Sequence, residues 1–303
     1  MRASPRRTSP PLKRVAAAAL VTTLASSGTA SVALGQDADR DRLVRVSATD
    51  PVMRNDSFVS PLAERFGDVR VGRGVFVAGN TILRADPGRR ICIGSRTNAQ
   101  DNTLILAIDR RAGVRGDCAR RSTDVGRRTS IAHQAEIVNS EIGDFAFVGF
   151  RARISDSVIG DGTFVLHATT VRDVRIGRER LVPVGASITT QRQADALPRK
   201  AEAQAEFQRE VLEVNAEFAE GYRELYERKG NDAVIGASEA PSTAFNRRAR
   251  RPTVGRGFRR EVFSRVVGDV RIGANGKVGR RTSIGPTRAR RSSSATTPTS
   301  RIA

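Results

Sequence analysis

The chain is poor in the residues that most often carry metal or stacking chemistry. Its 303 residues include two Cys, two His, two Tyr and no Trp, and aromatic residues make up 5% of the chain. A zinc site built from Cys alone needs more thiolates than this chain has. The sequence also shows no Gly-rich phosphate loop, no Ser-His-Asp set and no aromatic surface on which bases could stack. We therefore expect no nucleic-acid partner.

Lysine is scarce as well, since only four of the 52 basic residues are Lys. The net charge of +20 is concentrated at the two ends. Residues 1–35 carry +5 and residues 247–303 carry +14, which leaves +1 for residues 36–246. The basic tail predicts contact with a polyanion or the cell envelope, unless it is simply a solvated, disordered tail.

Long apolar runs are absent except near the start. There, basic residues end at Arg14, and a run rich in small apolar residues extends from Val15 to about Leu24. This run is short for a membrane span of roughly 20 residues. Residues 1–35 are therefore predicted to be a secretory signal peptide, which makes the protein secreted or part of the cell envelope. A polar lead-in follows at residues 36–55.

The middle of the chain is organised by a 17-residue repeat. Val or Ile recurs at steps of six, six and five residues, at Val125, Ile131, Ile137, Ile142, Val148, Ile154, Ile159, Val165, Val171, Ile176, Val182 and Ile188. This period fits short strands joined by tight corners, with one inward side chain per strand and three strands per coil. A Gly follows the first member of each triplet, where we expect it to supply φ freedom at a corner. The repeat predicts a parallel β-helix.

The β-helix is predicted to cover residues 56–190. Earlier coils follow the same step at Val71, Val77 and Leu83, and a basic loop at residues 106–124 interrupts the register. Cys92 and Cys118 form either one disulfide, as an oxidising compartment would permit, or two free thiols.

After the repeat, the apolar spacing changes to three and four residues, which predicts a C-terminal helix within residues 191–230. The spacing is carried by Phe207, Val211, Val214, Phe218, Tyr222 and Leu225. Residues 231–303 are predicted to be an Arg-rich, partly disordered tail with a partial repeat copy at 262–284. In that copy, Gly-Asp-Val-Arg-Val-Gly of residues 67–72 returns as Gly-Asp-Val-Arg-Ile-Gly at residues 268–273.

Four segments together resemble the gamma-class carbonic anhydrases in their order and spacing. They are Leu-Arg-Ala-Asp at 83–86, Arg-Thr-Asn-Ala-Gln-Asp at 96–101, Ser-Ile-Ala-His-Gln at 130–134 and the helical segment at 214–222. The resemblance covers about residues 55–228. It implies a left-handed β-helix and a homotrimer with active sites between subunits. It also implies a zinc or iron ion held by three His, whose hydroxide attacks CO2.

The resemblance places the three metal ligands at positions 106, 133 and 138. This chain has Leu106, His133 and Val138 there, so His133 is the single remaining ligand. His167 lies two coils from His133 on the same face, roughly 10 Å away, because strand layers are about 4.8 Å apart. Ligands of one zinc lie about 2 Å from it. We therefore predict a degraded site without a cofactor; zinc or iron would be the ion if the site functions.

Other positions match the family's site residues. Gln100 matches the residue that orients the hydroxide, Arg84 and Asp101 match a pair that bridges subunits, and Asn98 and Asn215 match second-sphere positions. Each also has a structural interpretation, as an interface ion pair, a polar interface group or a cap. His133 is expected to be a deep-lying, hydrogen-bonded structural residue.

These observations favour a non-catalytic structural or binding homologue of the gamma-class carbonic anhydrases. One alternative is an active carbonic anhydrase that hydrates CO2 with a reduced metal site. Another is a hexapeptide acyltransferase, which often uses one His as general base with an acyl-CoA donor. An exported protein has no access to acyl-CoA, which disfavours this second alternative.

Overall fold

The computed structural model describes residues 43–46, 56–108, 118, 123–244, 248, 250–262 and 264–285. All of these lie in one compact unit, residues 41–303. The predicted signal peptide, most of the lead-in, residues 109–117 and 119–122 of the basic loop, and residues 286–303 lie outside the described residues. Among the described helices, none is long and apolar enough to cross a membrane.

Short strands make up most of the described chain. The first part contains β1 (Val44–Arg45), β2 (Phe58–Val59), β3 (Glu64–Phe66), β4 (Asp68–Val71), β5 (Phe76–Val77), β6 (Ile82–Ala85), β7 (Arg90–Ile93), β8 (Asn98–Ala99), β9 (Leu104–Ala107) and β10 (Thr123–Val125). The repeat continues with β11 (Ser130–Ile131), β12 (Glu136–Val138), β13 (Glu141–Ile142), β14 (Phe147–Val148), β15 (Arg153–Ser155), β16 (Val158–Ile159), β17 (Phe164–Val165), β18 (Thr170–Arg172), β19 (Arg175–Ile176), β20 (Leu181–Val182) and β21 (Ser187–Ile188).

These strands form three seven-stranded sheets in which every third strand is a neighbour. Sheet A has the order β1-β4-β7-β10-β13-β16-β19, sheet B runs β2-β5-β8-β11-β14-β17-β20, and sheet C runs β3-β6-β9-β12-β15-β18-β21. All pairings are parallel except β1 with β4, where the lead-in strand adds antiparallel to the first coil. The predicted left-handed parallel β-helix is confirmed.

The core is the aliphatic ladder predicted from the repeat. Its twelve Val and Ile side chains are at most 6% exposed. In sheet A, Val125, Ile142, Ile159 and Ile176 are register partners from coil to coil. Each coil thus buries one branched side chain per sheet on top of its equivalent in the previous coil, and the stack excludes water along its length.

The role predicted for the repeat glycines was wrong. Gly126, Gly143, Gly160 and Gly177 do not have positive φ, whereas residues two positions later, such as Arg128 and Phe145, do. At three of these glycines, Gly126, Gly143 and Gly160, the next coil lies too close to leave room for a side chain. A Cβ added at Gly143 would lie 2.6 Å from the backbone nitrogen of Asp161 in the next coil, so no side chain fits.

Two helices follow the last coil: α1 (Gln191–Asp195) and α2 (Glu202–Lys229), the second ending in a 3₁₀ turn at Gly230–Ala233. Helix α2 runs along sheet B, against β2, β5, β8 and β11. Its buried face differs from the predicted stripe, because Gln208 is buried while Phe207 is 43% exposed. Gln208 donates from Nε2 to the carbonyl of Ala146, 2.7 Å away. This side chain therefore supplies a hydrogen-bond donor to a buried carbonyl at a corner of the coils.

The tail holds more regular structure than its sequence predicts. It contains β22 (Gly236–Ser238), β23 (Thr253–Val254), β24 (Arg259–Arg260), β25 (Arg265–Val267), β26 (Arg271–Ile272), β27 (Lys277–Val278) and β28 (Ser283–Ile284). Parallel pairing of β23 with β26, β24 with β27 and β25 with β28 stacks two coils. We call residues 253–285 the tail coils; the prediction was a single copy at 262–284.

Candidate functional site

Two of the three positions matched to metal ligands lie side by side. Leu106 in β9 and Val138 in β12 are register partners on the outer face of sheet C. Both are partly buried, and they alternate with the core residues Ile105 and Ile137. Arg84 and Ser155 continue the same row on either side. The strands therefore bring these two positions together, but the side chains there are hydrocarbon and donate no electron pair.

His133 lies at the corner between β11 and β12. Its Nδ1 is 3.6 Å from Oδ2 of Asp101, and its ring stacks on Phe150 at 5.6 Å between centroids. The side chain is 47% exposed, so the prediction of a deep-lying residue was wrong. The protein packed around the ring lowers the pKa of His133, Asp101 opposes this shift, and Arg265 adds to it. The imidazole of His133 is therefore mainly neutral near pH 7. Leu106 and Val138 provide no second nitrogen ligand to act with it.

His167 lies two coils further along the same corner, with Phe150 in the coil between. The ring of Phe150 stacks on it at 4.7 Å and on His133 at 5.6 Å, so an aromatic ring separates the two imidazoles. The backbone N–H of Phe150 donates to Nδ1 of His167 at 3.0 Å, which fixes that nitrogen as an acceptor. Burial lowers the pKa of His167. This arrangement agrees with the expectation that the two His cannot share an ion.

Asp101 and Arg84 do not meet within the chain. Arg84 forms an ion pair with Asp86, with Nε 2.8 Å from Oδ1. Asp101 instead faces the tail coils, where Nη1 of Arg265 lies 3.4 Å from its Oδ1 and Oγ of Ser283 lies 3.2 Å from the same oxygen. Arg265 lies inside the repeat copy predicted at 262–284, but nothing in the sequence indicated that it would pair with Asp101.

Arg265 is the most deeply placed charge at this site. Its side chain is 8% exposed, its Nη2 donates to the hydroxyl of Tyr222 at 2.8 Å, and its guanidinium lies 5.5 Å above the Tyr222 ring. Burial raises the pKa of Tyr222, so this phenol stays protonated. Asp101, Tyr222 and Arg265 together tie sheet B's corner, helix α2 and the tail coils at one point.

A small polar patch lies on β8 and β11 under helix α2. Nδ2 of Asn98 donates to Oγ of Ser130 at 2.8 Å, and Nε2 of Gln100 lies 3.4 Å from Oδ1 of Asn98. Asn215 is buried too, but its amide donates to the carbonyl of Val211 one turn back in its own helix. Asn98 and Gln100 are therefore brought together, and in this chain their amides bond to each other and to a hydroxyl.

A cleft of about 480 Å³ opens at the first coils, beside Arg84. Arg45, Asp68, Asp86 and Pro87 are among the residues that line it. It carries charge of both signs, and Arg84 is already paired with Asp86, so nothing in it selects one class of ligand.

The structure joins Cys92 and Cys118 through a disulfide, with their Cα atoms 5.7 Å apart. Cys92 lies in β7, and Cys118 belongs to the basic loop that interrupts the coils. The bridge ties Cys118 to sheet A. Within the described ranges, no group of three or more His, Cys, Asp or Glu side chains is arranged to hold a metal ion.

Comparison with known proteins shows which curated proteins this chain is similar to. The chain is 33% identical to the carboxysome assembly protein CcmM of Nostoc over 177 residues, which cover 58% of this chain and 32% of that protein. It is 29% identical to a carbonic anhydrase of Methanosarcina thermophila over 186 residues, 57% of this chain and 75% of that enzyme. It is 34% identical to the mitochondrial gamma carbonic anhydrase 2 of Arabidopsis thaliana over 95 residues, 31% of this chain and 32% of that protein.

The chain thus spans about a third of CcmM and of the Arabidopsis protein, and three quarters of the Methanosarcina enzyme. No family model matches it. Among solved structures, a hexapeptide transferase family protein from Anaplasma phagocytophilum aligns with a TM-score of 0.42 and 22% identity. That alignment covers 54% of this chain and 91% of the other. The coils, the sequence segments and the curated relatives agree: the chain is gamma-carbonic-anhydrase-like in sequence and folds as a left-handed parallel β-helix.

Proposed function

We propose that this protein is a non-catalytic member of its family that serves as a structural or binding module. The observation that carries the proposal is the pair Leu106 and Val138, which occupies adjacent positions where two ligands would be needed. Zinc in proteins is held by nitrogen, oxygen or sulfur, and a leucine and a valine supply none of these. The residues present therefore do not fit a three-His ion.

His133 alone does not compensate for this loss. Lowering the pKa of a bound water needs an ion held by about three protein ligands with one position open. The Nδ1 of His133 lies near Asp101, and a single imidazole–carboxylate pair leaves an ion mostly hydrated. Asn98 and Gln100, which match positions that support the family's chemistry, bond to Ser130 and to each other. The polar remnant of the site thus has a structural use.

Metal analysis and a CO2 hydration assay on the purified full chain test this proposal. The protein is produced in medium supplemented with zinc or iron, and bound metal is measured by mass spectrometry. We expect substoichiometric metal and hydration at the buffer rate, both unchanged in His133→Ala. Stoichiometric zinc or iron, together with hydration activity that disappears in His133→Ala, would instead establish an active carbonic anhydrase with a reduced site.

Export is a second part of the proposal. Residues 1–35 have the pattern of a signal peptide, and the disulfide between Cys92 and Cys118 suits an oxidising compartment. Fractionation of cells that produce the full chain should recover it outside the cytoplasm, without its first 30 to 35 residues and without free thiols. Intact, thiol-containing protein in the cytoplasm would refute export.

Assembly and partners complete the proposal. The resemblance implies a homotrimer that uses Arg84 and Asp101, but here Asp101 is occupied by Arg265 of the same chain. A homotrimer built through this face therefore requires the tail coils to leave it. Arg259 and Arg271 of the tail coils are exposed, which supports contact with a polyanion or the cell envelope.

A further inference from the structure

The tail coils reproduce the first coils of the β-helix strand by strand. An offset of 201 residues takes β2 to β24, β3 to β25, β4 to β26, β5 to β27 and β6 to β28. The same offset matches three turn residues with positive φ. Gly67 and Gly268 have φ of 79° and 77°, and Asn80 and Arg281 have 58° and 56°. Gly74 and Asn275, at 63° and 59°, complete the set. The tail is thus a structural copy of residues 58–85.

This copy lies on the side of the β-helix, at the corner that carries Asp101. Arg281 forms an ion pair with Glu64, and its carbonyl accepts from Nδ2 of Asn80 at 3.4 Å. Arg265 pairs with Asp101, and a Cβ added at Gly79 would lie 3.2 Å from Nη1 of Arg265. The contact is close enough that only glycine fits there without a shift.

The contacts have the pattern expected between two copies of one molecule. Asn80 contacts Arg281, which is its own equivalent in the copy. Glu64 contacts Arg281, while Arg265, the equivalent of Glu64, approaches Gly79 beside Asn80. Equivalent residues meet one another where copies surround a rotation axis. A face that binds the tail coils in this way also fits residues 58–85 of a second chain.

Charge makes the tail coils the better occupant. The residue that approaches Asp101 is Arg265 in the tail but Glu64 in a second chain, where two carboxylates would repel each other. The partner of Glu64 is Arg281 in the tail but the uncharged Asn80 in a second chain. Because Arg265 is 8% and Asp101 17% exposed, this pair is little screened by solvent, and loss of either partner leaves a buried charge.

The connection favours docking within one chain. After α2 the chain turns at residues 230–233 and runs back beside the helix. Lys229 forms an ion pair with Glu239, Pro241 lies against Gly221, and the backbone N–H of Ala244 donates to the carboxylate of Glu217. These contacts fix the start of the tail close to its docking face, which raises its effective concentration there.

We propose that the tail coils are a built-in substitute for a second copy of this chain, covering the Asp101 face in cis and preventing self-association through it. The proposal does not depend on whether the protein hydrates CO2. The partner that this face would bind is residues 58–85 of another chain. The face is open to that partner only when the tail coils are displaced.

A charge exchange in the full chain tests the proposal. Arg265→Glu with Arg281→Asn gives the tail coils the residues that the first coils have at the equivalent positions 64 and 80. The tail coils then no longer match the charges of the Asp101 face better than a second chain does. Light scattering after gel filtration should show monomers for the wild type and concentration-dependent oligomers for the variant. Arg259→Glu with Arg271→Asn makes the same charge change at exposed tail positions and should stay monomeric. A wild type already as large as the variant, or a variant that stays monomeric, would overturn the proposal.

Chemical cross-linking distinguishes docking within a chain from exchange between chains, even if the charge variant folds poorly. Glu64→Cys and Arg281→Cys are placed in one chain and joined by a short bismaleimide, since the native Cys are held in a disulfide. We expect a cross-linked product of monomer size on a denaturing gel. A mixture of the two single variants should give no dimer. A dimer from that mixture would show that tails are exchanged between chains and would refute docking in cis.

Discussion

Val138 lies directly beside Leu106, as its register partner on the neighbouring strand of sheet C. Side chains in this relationship are separated by about one strand spacing, ~4.8 Å. Two imidazoles so placed can reach one ion, whereas the present pair makes only an apolar contact. Substitutions at these two positions can therefore test whether the β-helix still holds side chains in an arrangement that binds a metal.

Leu106→His with Val138→His should give the protein measurable zinc affinity, because the strands hold the two rings side by side. Equilibrium dialysis against zinc near neutral pH provides the measurement, and we expect at least about tenfold tighter binding than in the wild type, or 1.4 kcal/mol. Leu104→His with Val138→His is the matched control, since Leu104 pairs with Glu136 and thus lies diagonal to Val138. Equal zinc affinity in the wild type and the double variant would contradict the proposed loss of the site.

The pKa of His133 should report whether the tail coils are docked. The positive charge of Arg265 lowers the pKa of His133, and the negative charge of Asp101 raises it. Arg265→Gln should therefore raise this pKa, and Asp101→Asn should lower it. Because the chain has only two His, their titrations are readily resolved by NMR, with His167 as the internal reference. Shifts of the same sign in both variants would show that the tail coils do not face His133.

Asp124 should make the protein less stable as the pH rises toward neutrality. Burial, with the nearby charges of Glu141 and Asp144, raises the pKa of Asp124 from 3.8 to about 7. A group with a raised folded pKa contributes stability that is fully present below its unfolded pKa and lost as the pH rises through the folded value. Urea unfolding between pH 4 and about 7.5 should show this decline, and Asp124→Asn should remove it.

Glu141→Gln provides the second arm of that experiment. Glu141 is the register partner of Asp124 and raises its pKa, so the variant should move the loss of stability to lower pH. A pH profile that is identical in the wild type and Asp124→Asn would exclude this carboxyl as the cause.

Gly143 and Gly177 should respond differently to the same substitution. A Cβ at Gly143 would lie 2.5 Å from Oδ1 and 2.6 Å from the backbone nitrogen of Asp161, whereas at Gly177 the nearest atom is Nε of Arg180 at 3.7 Å. Gly143→Ala should therefore lower the free energy of unfolding by about 1–3 kcal/mol, as overpacking does. Gly177→Ala should change it by less than about 0.5 kcal/mol. Equal losses at the two positions would show that backbone conformation, rather than space, governs these glycines.

The repeat step was sufficient to predict the coil architecture, because one buried side chain per strand imposes a regular spacing on the sequence. Val125, Ile131 and Ile137 could be assigned to three different sheets from spacing alone. The reason for the glycines could not be predicted, since it depends on how closely the next coil approaches. The exposure of Phe207 and the burial of Gln208 likewise depend on how α2 is rotated against sheet B, which side-chain spacing does not determine.

At the candidate site, the sequence showed which residues occupy the key positions, but it did not show which side chains contact each other. It singled out Leu106 and Val138, and the register shows that they are neighbours. It did not predict that Asp101 would pair with Arg265, because the two lie 164 positions apart and only the docked tail brings them together. The motif at 268–273, which nearly repeats residues 67–72, revealed the copy at 262–284. The strands before it, β23 and β24, keep too little of the apolar spacing and were recognisable only in the structure.

The copy at an offset of 201 residues has a consequence for how this contact can change. In an assembly of identical subunits, any substitution in residues 58–85 alters every equivalent surface at once, so an improvement on one side can be a defect on the other. Here the two sides of the contact are separate stretches of one chain. Position 265 could become arginine while position 64 stayed glutamate, a pairing of opposite charges that no identical pair of first coils could acquire. Duplication within the chain thus allows the two surfaces to diverge independently.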